Sequence, residues 1–186
     1  HKHKPDCEVI KIQVADGGEG SVDAFLAAVG GTKVFVQVNN PYLEPMESFY
    51  AILDGNVAVV EMAAAAGLPL VNDRANPELT STFGVGELIL HAARSGCKKI
   101  IVGLGGSCTN DGGCGAASAI GIRFKDVQGN VFIPTGKSLV DIDSIDVSNT
   151  DPILQDVEII TMCDIDNPMF GEKGAAYIFG PQKGAY

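Results

Sequence analysis

Basic residues are scarce in this 186-residue chain: 13 lysines and arginines stand against 23 aspartates and glutamates, for a formal net charge of -10. Nucleic acid is therefore not an expected partner, because neutralising a run of phosphates needs basic patches that this composition does not supply. Apolar runs are short as well. None reaches the roughly 20 residues of a bilayer span, and no cleavable signal pattern opens the chain, so no membrane partner is expected. The five cysteines are odd in number and show no CxxC spacing. That excludes a zinc site of paired thiols and points to free thiols in a reducing cytoplasm. No histidine lies near Cys108 or Cys114 in the sequence to activate a thiol nucleophile. Internal repeats, low-complexity tracts and long flexible linkers are also missing.

What is present is the composition of a folded protein, 46% hydrophobic and 19% charged, long enough for one large domain or two small ones. It opens on "HKHKPDCEVI" without methionine and stops on "FGPQKGAY", and is read as a fragment of a longer polypeptide.

Periodicity gives the elements. "EVIKIQVA" (8–15) reads as a strand. The next segment is a helix with apolar Val22, Phe25, Leu26 and Val29, ended by Gly30 and Gly31. A strand over 32–38 and a hairpin around Asp54 and Gly55 suggest a small antiparallel or mixed section. "AAAAGLPLV" from Ala63 is either a short helix or a loop. Thr80, Ser81 or Thr82 can cap a helix with an apolar face of Leu88, Ile89, Ala92 and Ala93, ending near Gly96. "KKIIVGL" (98–104) is a buried-type strand, 120–134 a hairpin, 135–151 a loop rich in Asp and Ser, and "VEIITMCD" a last strand ending in acids. The fold expected is α/β, a mixed sheet with helices and a second, smaller lobe built from the hairpins.

Three loops share one design: "VADGGEGS" (14–21), "GLGGSCTNDGGCG" (103–115) and "CDIDNPMFGEKGA" (163–175). Each follows a strand, and in open α/β sheets the ligand crevice lies beyond the carboxyl ends of the strands. In the second loop the amides of Gly105, Gly106 and Ser107 are candidates to bind an anion. Asp111 or Asn110 can cap the helix starting near Gly113, whose dipole would add to the attraction. Taken alone, such a loop is more simply a strand-to-helix turn. Named nucleotide patterns fail: Cys108 occupies the third glycine position of a dinucleotide fingerprint, and "PTGKSL" (134–139) has Val131 where a P-loop needs its first glycine. The acids Asp16, Glu19, Asp111, Asp164 and Asp166 all fall in the three loops, as suits a metal or a hydroxylated substrate and, in phosphoryl transfer, magnesium and an attacking hydroxyl. Glu61 either lines the same crevice or is a hairpin-edge acid. Thr80, Ser81 and Thr82 with Gly84 and Gly86 are a second anion site or simply a cap. His91 reads as a structural helical histidine.

These loops, with "VVEMAAAAGLPLV" and "TSTFGVGELI", resemble the bacterial glycerate kinases of the type I family in order and spacing along nearly the whole chain. "ADGGEG" falls on 15–20, "GGSCTNDGG" on 105–113 and "CDIDNP" on 163–168; Cys108 and Cys114 stand where alanine is usual and Ile165 where valine is. The resemblance implies ATP-dependent phosphorylation of D-glycerate with magnesium. It also implies two domains, a flavodoxin-like α/β core and a second domain inserted into it, with this chain being mostly the inserted domain and its flanks. The family's N-terminal "PDSFKGS"-like loop is not in the chain, so the fragment alone is expected to be inactive.

Catalytic roles then fall to Asp111, which would orient or deprotonate the attacking hydroxyl, and to Asp164 and Asp166, which would hold magnesium or its water shell. Asp111→Asn is expected to lower turnover far more than it changes folding. Substrate or phosphate contacts fall to Asp16, Gly17, Gly18, Glu19, Gly105, Gly106, Ser107, Thr109 and Asn110. A non-catalytic anion-binding module of the same fold and a kinase for a related small hydroxy acid are the alternatives. The cytoplasm is the expected location, and an oligomer is compatible with the sequence.

Overall fold

Valine, isoleucine and alanine fill the central strands because both faces of the sheet are covered. In the computed structural model, which describes residues 8, 10 and 13–185, helix α1 (Ser21–Val29) leads into β1 (Thr32–Asn39), β2 (Pro45–Leu53) and β3 (Val57–Glu61). A short helix α2 (Ala63–Ala66) and two 3-10 turns precede helix α3 (Phe83–Arg94) and strand β4 (Lys99–Gly103). After α4 (Cys114–Ala119) come β5 (Arg123–Lys125), β6 (Val131–Phe132), β7 (Ser144–Asp146), β8 (Glu158–Met162) and α5 (Ala175–Phe179).

The main sheet has the order β1-β2-β3-β4-β8. β1, β2 and β3 run antiparallel to their sequence neighbours, whereas β3, β4 and β8 are mutually parallel. The register pairs Glu61 with Gly103 and Gly103 with Met162, so three strands end side by side at one edge. Side chains alternate across this sheet. Ala58, Val60, Ile100 and Val102 meet Leu88, Ile89 and Ala92 of α3 on one face. Val59 and Ile101 meet Val22, Phe25 and Leu26 of α1 on the other. The outcome is a three-layer α/β/α sandwich.

The second sheet is small and antiparallel, in the order β6-β5-β7, with Phe124 buried and paired with Phe132 and Ile145. It corresponds to the expected smaller lobe, with two differences. The 32–61 strands are part of the main sheet rather than the lobe, because the β3–β4 pairing ties them to the buried core. β7 lies in the segment read as a loop; three residues carry too short an alternation to register against Asp and Ser on either side.

Of the strand expected over 8–15, residues 9, 11 and 12 lie outside the described residues, and the described ones are not in a strand. Cys7 also lies outside them; Cys97, Cys108, Cys114 and Cys163 are free thiols. Among the described residues no helix is long and apolar enough to cross a membrane.

Candidate active site

The parallel strands β4 and β8 deliver the second and third loops, whereas the first, expected to follow a strand too, precedes α1 with no strand before it among the described residues. Directly after β4, the amide of Leu104 donates to Met162 O at 3.1 Å and that of Gly105 to Gly17 O at 3.0 Å, stitching the second loop between the other two. A Cβ at Gly105 would lie 2.8 Å from Gly18 N and Cα, so the backbones touch where no side chain fits. On the far side, Leu68 N donates to Gly106 O at 2.9 Å and Cys108 N to Ala66 O at 2.9 Å, fixing the second loop against the turn after α2.

These contacts enclose a cleft of about 290 Å³. It is lined by Asp16, Gly18 and Glu19 from the first loop; Leu104, Gly105, Gly106 and Ser107 from the second; and Cys163, Asp164 and Ile165 from the third. Leu68, Phe179, Gln182 and Lys183 complete the wall. The structure therefore brings together Asp16, Gly18, Glu19, Gly105, Gly106, Ser107 and Asp164 of the residues singled out in the sequence. Gly17, Thr109 and Asn110 are not among the lining residues, and neither is Asp166, which is exposed.

The anion-binding amides differ from the expectation. Gly105 N is spent on Gly17 O, while Gly106 and Ser107 have N–H groups that meet no acceptor among the described residues. Gly106 has φ 72, in the left-handed region that favours glycine. The helix dipole invoked for α4 is not available to a ligand. Gly113 N and Gly115 N donate to the two carboxylate oxygens of Asp111, each at 3.1 Å, and Ala116 N donates to Thr82 Oγ1 at 2.9 Å.

Asp111, expected at the reacting position, does not line the cleft. It is 1% exposed and absent from the cleft wall, and it accepts four hydrogen bonds, two of them from Thr82. Oδ2 takes three of these bonds and Oδ1 one, so the carboxylate is committed to holding the start of α3 against the start of α4. Thr80, Ser81 and Thr82 are likewise buried and internally bonded: Thr80 Oγ1 donates to Cys108 O at 3.1 Å, Ser81 Oγ accepts from Phe83 N at 3.3 Å, and Thr82, the N-cap of α3, makes no side-chain cap bond to its own helix.

Glu61 faces inward too. Its Oε2 accepts from Val22 N at 3.0 Å, placing a buried negative charge at the N-terminal turn of α1. His91 bonds through Nδ1 to Tyr50 Oη at 3.0 Å, on α3 and away from the cleft.

Lys183 was not found by sequence reasoning. Its Nζ donates to Thr109 O at 2.7 Å, and burial holds its pKa below the ordinary lysine value despite the opposing effect of the Cys108 and Asp111 charges. Beneath it, burial pushes the Cys108 thiol up to about 11. The available signal was a single lysine between turn residues in "GPQKGA", but nothing in the one-dimensional pattern folds that segment back onto residue 109. Leu68 and Phe179 were missed for the same reason.

No group of three or more His, Cys, Asp or Glu side chains among the described residues converges closely enough to hold a metal by itself. The hard carboxylate oxygens of Asp16, Glu19 and Asp164 nevertheless suit magnesium, which takes one or two carboxylates and fills its remaining positions with water and phosphate.

Residues 1–186 match the model of a family described as the glycerate kinase family. The glycerate kinase of Bacillus cereus (strain ATCC 10987 / NRS 248) is 47% identical over 183 residues, covering 97% of this chain and 48% of that protein. Glycerate 2-kinase of Escherichia coli (strain K12) is 46% identical over the same shares. A crystal structure assigned to glycerate kinase 2 of Salmonella typhimurium LT2 superposes with a TM-score of 0.89 at 43% identity, covering 100% of this chain and 50% of that one. The chain spans about half the length of the curated relatives it matches.

Proposed function

This chain belongs to the glycerate kinase family, and we propose from that premise that the whole protein transfers the γ-phosphoryl group of ATP to a hydroxyl of D-glycerate in the cytoplasm, this chain supplying part of a two-domain enzyme. The observation that carries the reading is the convergence of three loops on one cleft that combines the carboxylates of Asp16, Glu19 and Asp164 with the amides of Gly106 and Ser107, which meet no acceptor among the described residues. Phosphoryl transfer asks the protein for little covalent chemistry and much positioning of charge, and this cleft offers both signs of partial charge in fixed places.

The amides of Gly106 and Ser107 hold an anionic oxygen. Asp164, at the end of β8, orients the attacking hydroxyl and receives its proton as the new oxygen–phosphorus bond forms and ADP leaves. Asp16 and Glu19 would hold magnesium or its water shell. Magnesium, when bound, would neutralise charge on the phosphoryl oxygens. The nearby Leu68, Leu104 and Phe179 exclude water, which strengthens each of these interactions. A volume of about 290 Å³ suits a three-carbon hydroxy acid with a terminal phosphoryl group better than an entire nucleotide.

The test is ATP-dependent consumption of D-glycerate by the full-length protein, with glycerate omitted as the control and a panel of small hydroxy acids alongside. One phosphoglycerate formed per ADP is the expected result. Turnover of another hydroxy acid in preference would reassign the substrate, and binding without turnover of any would leave a non-catalytic anion-binding module.

A further inference from the structure

Among the described residues the cleft wall contains three carboxylates and a single cationic side chain, Lys183. Both substrates of the proposed reaction are anions, so the carboxylates alone would repel them. We propose that Lys183 is a substrate-binding residue whose ammonium group pairs with an anionic oxygen, either the carboxylate of the hydroxy acid or a phosphoryl oxygen of the nucleotide. This rests on the kinase reading above.

Several observations converge on that role. An ammonium group has three donors, and the structure uses one of them, on the neutral carbonyl of Thr109 at 2.7 Å. Among the described residues no carboxylate lies within ion-pair distance of it. A half-buried cation left with one carbonyl is costly, and the cost is recovered when an anion enters beside it. The position fits as well: Lys183 shares the cleft with Gly106 and Ser107, whose amides have no acceptor among the described residues, and with the apolar Leu104 and Phe179 that lower the local dielectric. The short helix α5 and the turn after it, both glycine-flanked, exist on this wall to bring the lysine back over the second loop.

A tether between chain segments would produce the same bond to Thr109, so the test must separate charge from attachment. Lys183→Gln keeps an N–H that can reach a carbonyl and removes the charge; Lys183→Arg keeps the charge. Both are made in the full-length protein, with melting temperature and the KM for ATP and for D-glycerate measured separately. The expected result is that Lys183→Gln raises one of the two KM values at least about tenfold, as suits a charge-assisted hydrogen bond, while Lys183→Arg raises the same one far less. The KM that moves identifies the source of the anion. Unchanged KM values in Lys183→Gln, or equal losses in both variants, overturn the proposal while leaving the kinase reading intact; an inactive wild-type protein overturns the reading itself. Should Lys183→Gln fail to fold, the wild-type pH profile decides. One of the two KM values must climb as pH rises, with the climb beginning below the ordinary lysine pKa because burial favours loss of the proton; a flat profile overturns the proposal.

Discussion

Asp111 and Thr82 are joined twice: Oδ2 of the carboxylate accepts the backbone amide of Thr82 and its hydroxyl, each at 2.8 Å. The two residues are 29 positions apart, one before α3 and the other before α4. The same Thr82 oxygen accepts from Ala116 N, so one buried carboxylate and one hydroxyl satisfy the orphan amides of two helix starts.

Replacing Asp111 by Asn therefore acts first on stability. The substituted amide presents an N–H₂ where the structure supplies donors, leaving buried N–H groups unpaired at a cost of about 2–4 kcal/mol. This reverses the expectation of lost turnover with little effect on folding. Urea denaturation of the full-length protein should show the lower midpoint, and an unchanged midpoint would restore Asp111 to the list of reacting groups.

Asp164 and Asp166, expected to share one role, separate in space. Asp164 lines the cleft and Asp166 does not. Asp164→Asn should lower kcat/KM by roughly 30-fold or more, about 2 kcal/mol of transition-state stabilisation. Asp166→Asn should change it by less than about threefold, since exposed charges away from a site contribute little. Steady-state kinetics on the two variants decides, and equal losses would contradict the assignment.

Gly105→Ala puts a methyl group 2.8 Å from Gly18 N and Cα. The two loops must part by several tenths of an ångström, which disturbs the cleft more than the core. An increase in KM of about tenfold, with a stability loss of about 1–3 kcal/mol, is the expected pattern. Wild-type kinetics would show that the loops need not touch.

Cys108 supplies a pH dependence. Its folded-state pKa is pushed up to about 11, against an ordinary 9.0, because burial disfavours the thiolate. Its contribution to stability is thus full below about pH 9 and is lost as pH rises toward 11, by at most about 2–3 kcal/mol. Lys183 has the opposite sign: its pKa is depressed by burial, so the unfolded chain holds more protons just below 10.5 and this group favours folding as pH rises there. Cys108→Ala should flatten the alkaline loss of stability in urea melts at about pH 8 and pH 10.5. A loss as steep as the wild type's would assign it to other groups.

The amino-acid pattern by itself determined the elements with strong periodicity and sharp punctuation. Apolar Val22, Phe25 and Leu26 between two glycine clusters specify α1, the turn at Asp54 and Gly55 specifies the β2–β3 hairpin, and "KIIVG" can be little else than a buried strand. It also marked the three loops that reach the cleft, because glycines clustered with acids are a local signal, although only the second and third loops follow a strand among the described residues.

What each acid does was decided only in three dimensions. Asp16, Glu61, Asp111, Asp164 and Asp166 all look alike in the sequence, as carboxylates near glycine or at a strand end. The tertiary structure turns Glu61 inward onto the first turn of α1 and Asp111 onto Thr82, opens Asp16 and Asp164 to the cleft, and leaves Asp166 outside it. It also folds Lys183 back onto Thr109, 74 positions earlier. Propensity and periodicity are sums over neighbours along the chain, whereas a carboxylate or an ammonium group acts on whatever lies within a few ångströms, and that company is set by packing between segments distant in sequence.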